Sequence, residues 1–417
     1  MISPKDNNKT LPEMTLFDSE TLKCPYHYDK TLRDTSPVYQ DPESGVYVVS
    51  TYDLVREAHK APEVFSNEFT LALGANQELD EDIAEAMSRT YDLGKGTLVT
   101  IDDPAHKTYR DELKSFFLAN NVAKYRPWIE DLADTLFSTL PKNEPFNFIE
   151  NFTRPLPLSV IMHVLGMPLS MRDQAFKWTV DNVTTLSQVG DKETLLAAHA
   201  GLKDEYDWFV DALNDRRENP RDDLITFISQ ATFEGRPLTI EEQLSHCTQF
   251  MVAGNETTTA TLAESMRQLC LNPDQQKMIR EDLSLIPNLV DESLRIASPT
   301  SNMWRICKSD YELGGTTIPA GSTVLLKYFS SNHDEKMFDE PLKFDVTRKN
   351  VKRHIAFGFG SHVCIGQHLS KLEMTIAWER LFANSSNFRL AEADEDLEYM
   401  PNILLRGLEE IRVVIEP

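Results

Sequence analysis

Paired cysteines, long apolar runs and a surplus of positive charge are all missing from this chain, and each absence closes off a class of function. The five cysteines, Cys24, Cys247, Cys270, Cys307 and Cys364, are an odd number in 417 residues and include no Cys-x-x-Cys pair. Neither a disulfide framework nor a zinc ribbon is expected, and a reducing, cytoplasmic setting is. No window approaches the roughly 20 apolar residues of a membrane span. The opening Met1–Lys30 is polar and acidic, without the basic start and apolar run of a signal peptide. Lys and Arg number 42 against 66 Asp and Glu, for a formal net charge of −24. An acidic surface repels phosphate, so no nucleic-acid partner is expected.

Linkers are missing too. No Pro/Gly/Ser-rich tract, low-complexity segment or internal repeat divides the chain, and the acidic run Glu78–Glu85 is too short to do so. One domain over residues 1–417 is expected, with a short flexible N-terminus to about residue 20. Val38-Tyr39 and Val46–Ser50 flank a turn through Asp41-Pro42-Glu43-Ser44-Gly45 and predict a hairpin. Helical patterns dominate from Tyr52 to about Leu285. Strand patterns return at Met303–Cys307 and Gly321–Tyr328. The fold class is mainly α with a small antiparallel β region.

What is present is concentrated in two stretches. Phe357-Gly358-Phe359-Gly360-Ser361-His362-Val363-Cys364-Ile365-Gly366 is a glycine-spaced loop that delivers one cysteine to a helix start. Apolar residues at Ile365, Leu369, Leu372, Ile376 and Leu381 supply the helical spacing. Orphan N–H groups and the macrodipole at such a start favour a thiolate. The pattern reads as an anionic sulfur ligand offered to a metal cofactor.

The second stretch is the middle of the longest predicted helix. Thr239-Ile240-Glu241-Glu242 forms a capping-box start and Pro273 a stop, which predicts one helix of about 30 residues, roughly 45 Å. Its centre reads Ala253-Gly254-Asn255-Glu256-Thr257-Thr258-Thr259. So many poor helix formers together cost about 3 kcal/mol, which points to a function at that place.

Both stretches resemble the cytochrome P450 family. Phe357, Gly360, Cys364 and Gly366 fill its haem-ligand pattern Phe-x-x-Gly-x-x-x-Cys-x-Gly, and residues 253–258 match its oxygen-binding groove Ala-Gly-x-Asp/Glu-Thr-Thr. The resemblance implies haem b (iron protoporphyrin IX) with Cys364 as the iron ligand. Gly254 would leave room for dioxygen, and Thr257 with Glu256 would form the proton relay. His106 and Arg110, on a helix predicted to start at the Asp103-Pro104 cap, match haem-propionate contacts, as do Arg305 and His362. Phe357 and Gly366 belong to the same cofactor loop. Glu292 and Arg295 match a structural Glu-x-x-Arg pair whose third member would be Lys343, in Pro341-Leu342-Lys343-Phe344.

The implied activity is insertion of one oxygen atom from O2 into a C–H bond of a terpenoid, steroid or fatty-acid-like molecule. Electrons would come from a separate [2Fe-2S] ferredoxin and its NAD(P)H-dependent reductase. A basic run (Lys343, Arg348, Lys349, Lys352, Arg353) against a single acid, Asp345, reads as a docking patch for that donor. Candidate pocket residues are Leu98, Val99, Phe250, Ala253, Ser301, Asn302, Met303, Ile403 and Leu404, under a mobile lid over residues 65–100. A peroxide-driven enzyme of the same fold and a non-catalytic haem sensor are the alternatives.

Overall fold

Alternating β-branched and aromatic residues form the hairpin of β1 (Val38–Gln40) and β2 (Tyr47–Val49). Gly45, at φ +74°, closes its turn, and Asp41 accepts from the Ser44 N–H at 2.9 Å. The computed structural model describes residues 10–69, 80–88, 97–187 and 191–417. Parts of the predicted lid (70–79 and 89–96) and of the predicted flexible N-terminus (1–9) lie outside them.

Helices that position the site are α1 (Tyr52–Lys60), α2 (Ala105–Leu113), α3 (Arg126–Thr139), α4 (Pro155–Leu165), α5 (Arg172–Ser187), α6 (Lys192–Glu218), α7 (Ile240–Ala253), α8 (Glu256–Leu271), α9 (Ile286–Ala297) and α10 (Gln367–Ala383). After the hairpin come strands β3 (Phe65–Ser66), β4 (Phe146–Asn147), β5 (Asn302–Cys307), β6 (Thr323–Lys327), β7 (Asn387–Leu390) and β8 (Arg412–Glu416).

The chain divides into two compact units. One comprises residues 1–66, 123–156 and 257–417; the other comprises 67–122 and 157–256. In the first, a five-stranded sheet runs β1-β2-β6-β5-β3 and a second runs β7-β8-β4. All pairs are antiparallel except β2 with β6, a parallel pair that ties the early hairpin to the late strands. Val49, Val55, Phe65, Val324, Leu326 and Phe338 form the apolar core between this sheet and α1. Helix α10 packs on α3 and α9, with Arg126 reaching both Glu130 and Glu379 at 2.9 Å. In the second unit α6 packs on α5 and α7, burying Trp178 and Phe209 completely or nearly so.

Two helix expectations need correction. The capping box at Thr239 and Glu242 forms, but the long helix is two helices, with α7 ending at Ala253, capped by Gly254, and α8 beginning at Glu256. The poor helix formers at 254–259 stand where the chain breaks. Helix α2 begins at Ala105, and Asp103 does not cap it; its carboxylate turns to the His106 ring instead.

Candidate functional site

In the first unit the cysteine loop is closed by its own backbone. The Cys364 N–H donates to the Phe357 carbonyl at 2.8 Å, and the Gly358 N–H to that of Ile355 at 2.9 Å. Gly358 and Gly360 hold φ +74° and +76°, a region L side chains rarely adopt. At Gly360 a Cβ would also lie 3.0 Å from the His59 carbonyl oxygen, so glycine alone lets the loop pass the end of α1. Cys364 is half-buried. Gly366 caps α10, and a Cβ there would sit 4.0 Å from the Cys364 sulfur. The helix starts at Gln367, so the thiol stands ahead of its first turn and not in it.

Phe357 is half-buried, with the Lys371 ammonium 5.6 Å from its ring. Arg305 is buried on β5, donating to the Trp304 carbonyl at 2.7 Å and to His59 Nδ1 at 3.5 Å. His362 ends the short turn Gly360–His362, close enough that its charge lowers the proton affinity of His59, after burial and Arg305. Arg305, His59 and His362 thus form a cluster of donors and cations beside the cysteine loop. Sequence reasoning missed His59, because nothing near it in the chain marks it apart from a core histidine.

On α8 the three threonines separate by role. The Thr258 hydroxyl bonds Ser370 of α10 at 3.0 Å, and the Thr259 hydroxyl donates to the Thr153 carbonyl at 2.9 Å. These two are scaffold. Thr257 is half-buried, and its carbonyl accepts from the Thr261 hydroxyl at 2.8 Å.

Of the candidate pocket residues here, Ser301 and Asn302 meet Ile403 and Leu404. The Ser301 N–H donates to the Leu404 carbonyl at 2.8 Å and the Asn302 amide to that of Ile403 at 2.5 Å. Met303 packs against the sheet core instead.

Arg348, counted above in the basic run, is buried on Glu292 at 3.1 Å, and Arg295 meets the same carboxylate through two bonds of 2.8 Å. Lys343 does not complete this network. Its ammonium lies 3.5 Å from Glu340, while its carbonyl accepts from Arg348 at 2.8 Å. Arg348 is the third member, and the exposed basic surface is reduced to Lys343, Lys349, Lys352 and Arg353.

In the second unit His106 is buried on α2 with Nδ1 3.0 Å from Asp103 Oδ1, and burial holds its ring below the usual range despite that carboxylate. Arg110 follows one turn later, half-buried. Leu98 is buried and its N–H donates to Gln249 Oε1 at 2.8 Å, while Val99 is exposed. Phe250 packs on Phe117 with ring centroids 4.9 Å apart. The side on which Gly254 lacks a Cβ faces Ile161 of α4, at 3.0 Å from its Cγ1. That glycine therefore has a packing reason, and the space it leaves belongs to Ile161.

Residues 243–251 are nearly all buried, as are most of 258–269, but of residues 252–257 only Asn255 is buried and Ala253 is exposed. An acid, Glu256, and an alcohol, Thr257, are neighbours within that opened stretch.

A family model for cytochrome P450 matches residues 199–406. Steroid C26-monooxygenase of Mycobacterium tuberculosis (strain ATCC 25618 / H37Rv) is 31% identical over 98% of this chain and 97% of its own. The chain belongs to the cytochrome P450 family. Vitamin D(3) 25-hydroxylase of Pseudonocardia autotrophica, a further relative, is 30% identical over 96% of each chain. A solved relative, cytochrome P450 CYP109Q5 from Chondromyces apiculatus, superimposes with a TM-score of 0.85 at 29% identity, covering 98% of this chain and 99% of that one.

This P450 is accordingly a monooxygenase with a haem-binding fold. Its residues fit that cofactor. The half-buried Cys364 thiol stands in a rigid glycine loop, and the donor cluster beside it includes a buried His59 Nε2 that no acceptor among the described residues reaches. Among those residues no helix of this P450 is long and apolar enough to cross a membrane.

Proposed function

We propose that this P450 inserts one atom of O2 into a C–H bond of a hydrophobic small molecule of the steroid or terpenoid kind, using electrons from a separate [2Fe-2S] ferredoxin and its NAD(P)H-dependent reductase. The whole chain acts as one P450 domain, in keeping with a relative matched over 98% of it. The observation that carries the reading is the opened stretch at 252–257, where Glu256 and Thr257 adjoin between two buried helices. A bare haem sensor has no use for that pair. The substrate class leans on relatives named for a steroid and for vitamin D(3). Five cysteines outside any disulfide suit a reducing compartment, and we place the enzyme in the cytoplasm.

Cys364 would hold the iron through its thiolate sulfur, with Phe357 and Gly366 shaping the loop around it. Arg305, His362, His106 and Arg110 would hold the propionates by charge and hydrogen bonds. When bound, haem supplies the activation of dioxygen and the oxidation of the C–H bond. The chain supplies the protons. The Glu256 carboxyl exchanges one with solvent, and the Thr257 hydroxyl, donor and acceptor at once, hands it into the site. Ser301 and Asn302, fixed against 403–404, would orient the substrate, with Leu98 and Phe250 as apolar wall.

Thr257→Ala tests the relay. With ferredoxin, reductase and a ligand that shifts the Soret band, wild type should consume NAD(P)H in step with hydroxylated product. The variant should keep its haem spectrum while product per NAD(P)H falls about tenfold and hydrogen peroxide takes its place. Full coupling in the variant, or wild-type turnover equally fast with peroxide alone, would sink the proposal.

A further inference from the structure

His59 lies in the last turn of α1, whose buried face is Tyr52, Val55, Ala58 and His59. The residue is only 7% exposed, its ring tilted on Tyr328 at 5.5 Å and edge-on to Phe359 of the cysteine loop at 6.4 Å. Nδ1 stands 3.5 Å from Arg305 Nη2. A guanidinium can only donate, so Nδ1 accepts and the ring proton sits on Nε2. Burial and the neighbouring cations hold the ring neutral. Nε2–H is thus a buried donor, and no acceptor among the described residues reaches it.

Leaving such a group unsatisfied carries a desolvation cost, which phenylalanine at this packed position would avoid. No described side chain or carbonyl satisfies this donor, which leaves it free to meet a ligand's acceptor. A neutral N–H beside a buried guanidinium suits a carboxylate, which takes one charge-assisted and one neutral hydrogen bond.

We propose that His59 is a haem-binding residue, donating from Nε2–H to a haem carboxylate that Arg305 neutralises. This rests on the P450 reading above. The bond between Arg305 and Nδ1 then has a purpose: it fixes the tautomer and aims both donors together.

The test is haem loss from the holoenzyme to excess apomyoglobin. His59→Phe keeps volume and ring stacking but has no donor, and it should lose haem about 10-fold faster than wild type. His59→Gln keeps an N–H and should stay within about 2-fold. Thermal unfolding of the haem-free proteins separates a packing role, since His59→Phe should then be no less stable than wild type. Equal haem loss from wild type and His59→Phe overturns the inference alone, as does an equal fall in stability of its haem-free and haem-bound forms. A wild type that takes up no haem overturns the cofactor reading and the inference together.

Discussion

At Glu205, in the buried face of α6, burial outweighs hydrogen bonding. The carboxyl is fully buried and accepts from the Asn182 amide at 2.7 Å, yet its pKa rises from 4.5 to about 8 because burial disfavours the charge more than that bond favours it. At neutral pH the folded protein therefore binds a proton at Glu205 that the unfolded chain has released. Between pH 4.5 and about 8 stability must fall as pH rises, by up to about 1.4 kcal/mol per unit. Above that window both states are ionised and the loss stops growing. Glu205→Gln presents a neutral group of the same shape and removes the slope. Melting temperatures from pH 5 to 9 should show the variant gaining on wild type up to about pH 8 and running parallel beyond. Parallel curves throughout would mean that Glu205 is ionised in the fold. His59 shows the same dominance of burial with the opposite shift, since burial there lowers the proton affinity and preserves a neutral donor whose proton position Arg305 dictates.

Among elements, α9 is held to the segment before the cysteine loop by one carboxylate. Glu292 receives Arg295 and Arg348 and also the Asp345 N–H at 3.0 Å, while Arg348 donates onward to the Asp339 carbonyl at 2.6 Å. Removing one partner strands a buried charge, so Arg348→Ala should destabilise by about 3–5 kcal/mol. Lys343→Ala touches an exposed ammonium and should stay within about 0.5 kcal/mol. Urea unfolding midpoints decide it, and similar losses in both would return Lys343 to the network. The contrast also explains what sequence could and could not convey. The hairpin at 38–49, the Thr239 capping box and the cysteine loop are local patterns, fixed by residues within a few positions of one another. The break at Gly254 was visible as weak helix propensity, but the same residues fit an uninterrupted helix, and only packing against Ile161 gives that glycine its reason. Arg348 meets Glu292 across 56 residues and His59 meets Arg305 across 246. The parallel pairing of β2 with β6 joins residues even farther apart in the chain, Tyr47 with Val324 among them. No local period records such pairings, so the motif's position pointed to Lys343 while nothing pointed to Arg348 as its replacement, or set His59 apart from any core histidine.

For the whole molecule, charge sets a conflict that docking must resolve. The chain carries a net −24, so the ferredoxin proposed above, if acidic, would meet net long-range repulsion, relieved locally where Lys343, Lys349, Lys352 and Arg353 are exposed. Burial of Arg348 in the Glu292 network thins that surface, leaving it to a few side chains. Screening then gives a sign to look for. The Debye length is about 14 Å at 50 mM salt and about 4 Å at 0.5 M by the scaling that makes it roughly 10 Å at 0.1 M. With wild type, raising salt over that range weakens the local attraction, and the KM for ferredoxin should rise about 10-fold while the haem spectrum stays put. Lys349→Glu with Lys352→Glu removes the attraction and leaves repulsion from the rest of the chain. At low salt its KM should already be about 10-fold higher, and added salt should lower it, because only repulsion remains to be screened. That reversal of slope separates docking at this surface from a general salt effect on turnover, which would move both proteins in the same direction. If KM rises with salt in both, the donor docks elsewhere, and these lysines serve only the solubility of a strongly acidic protein.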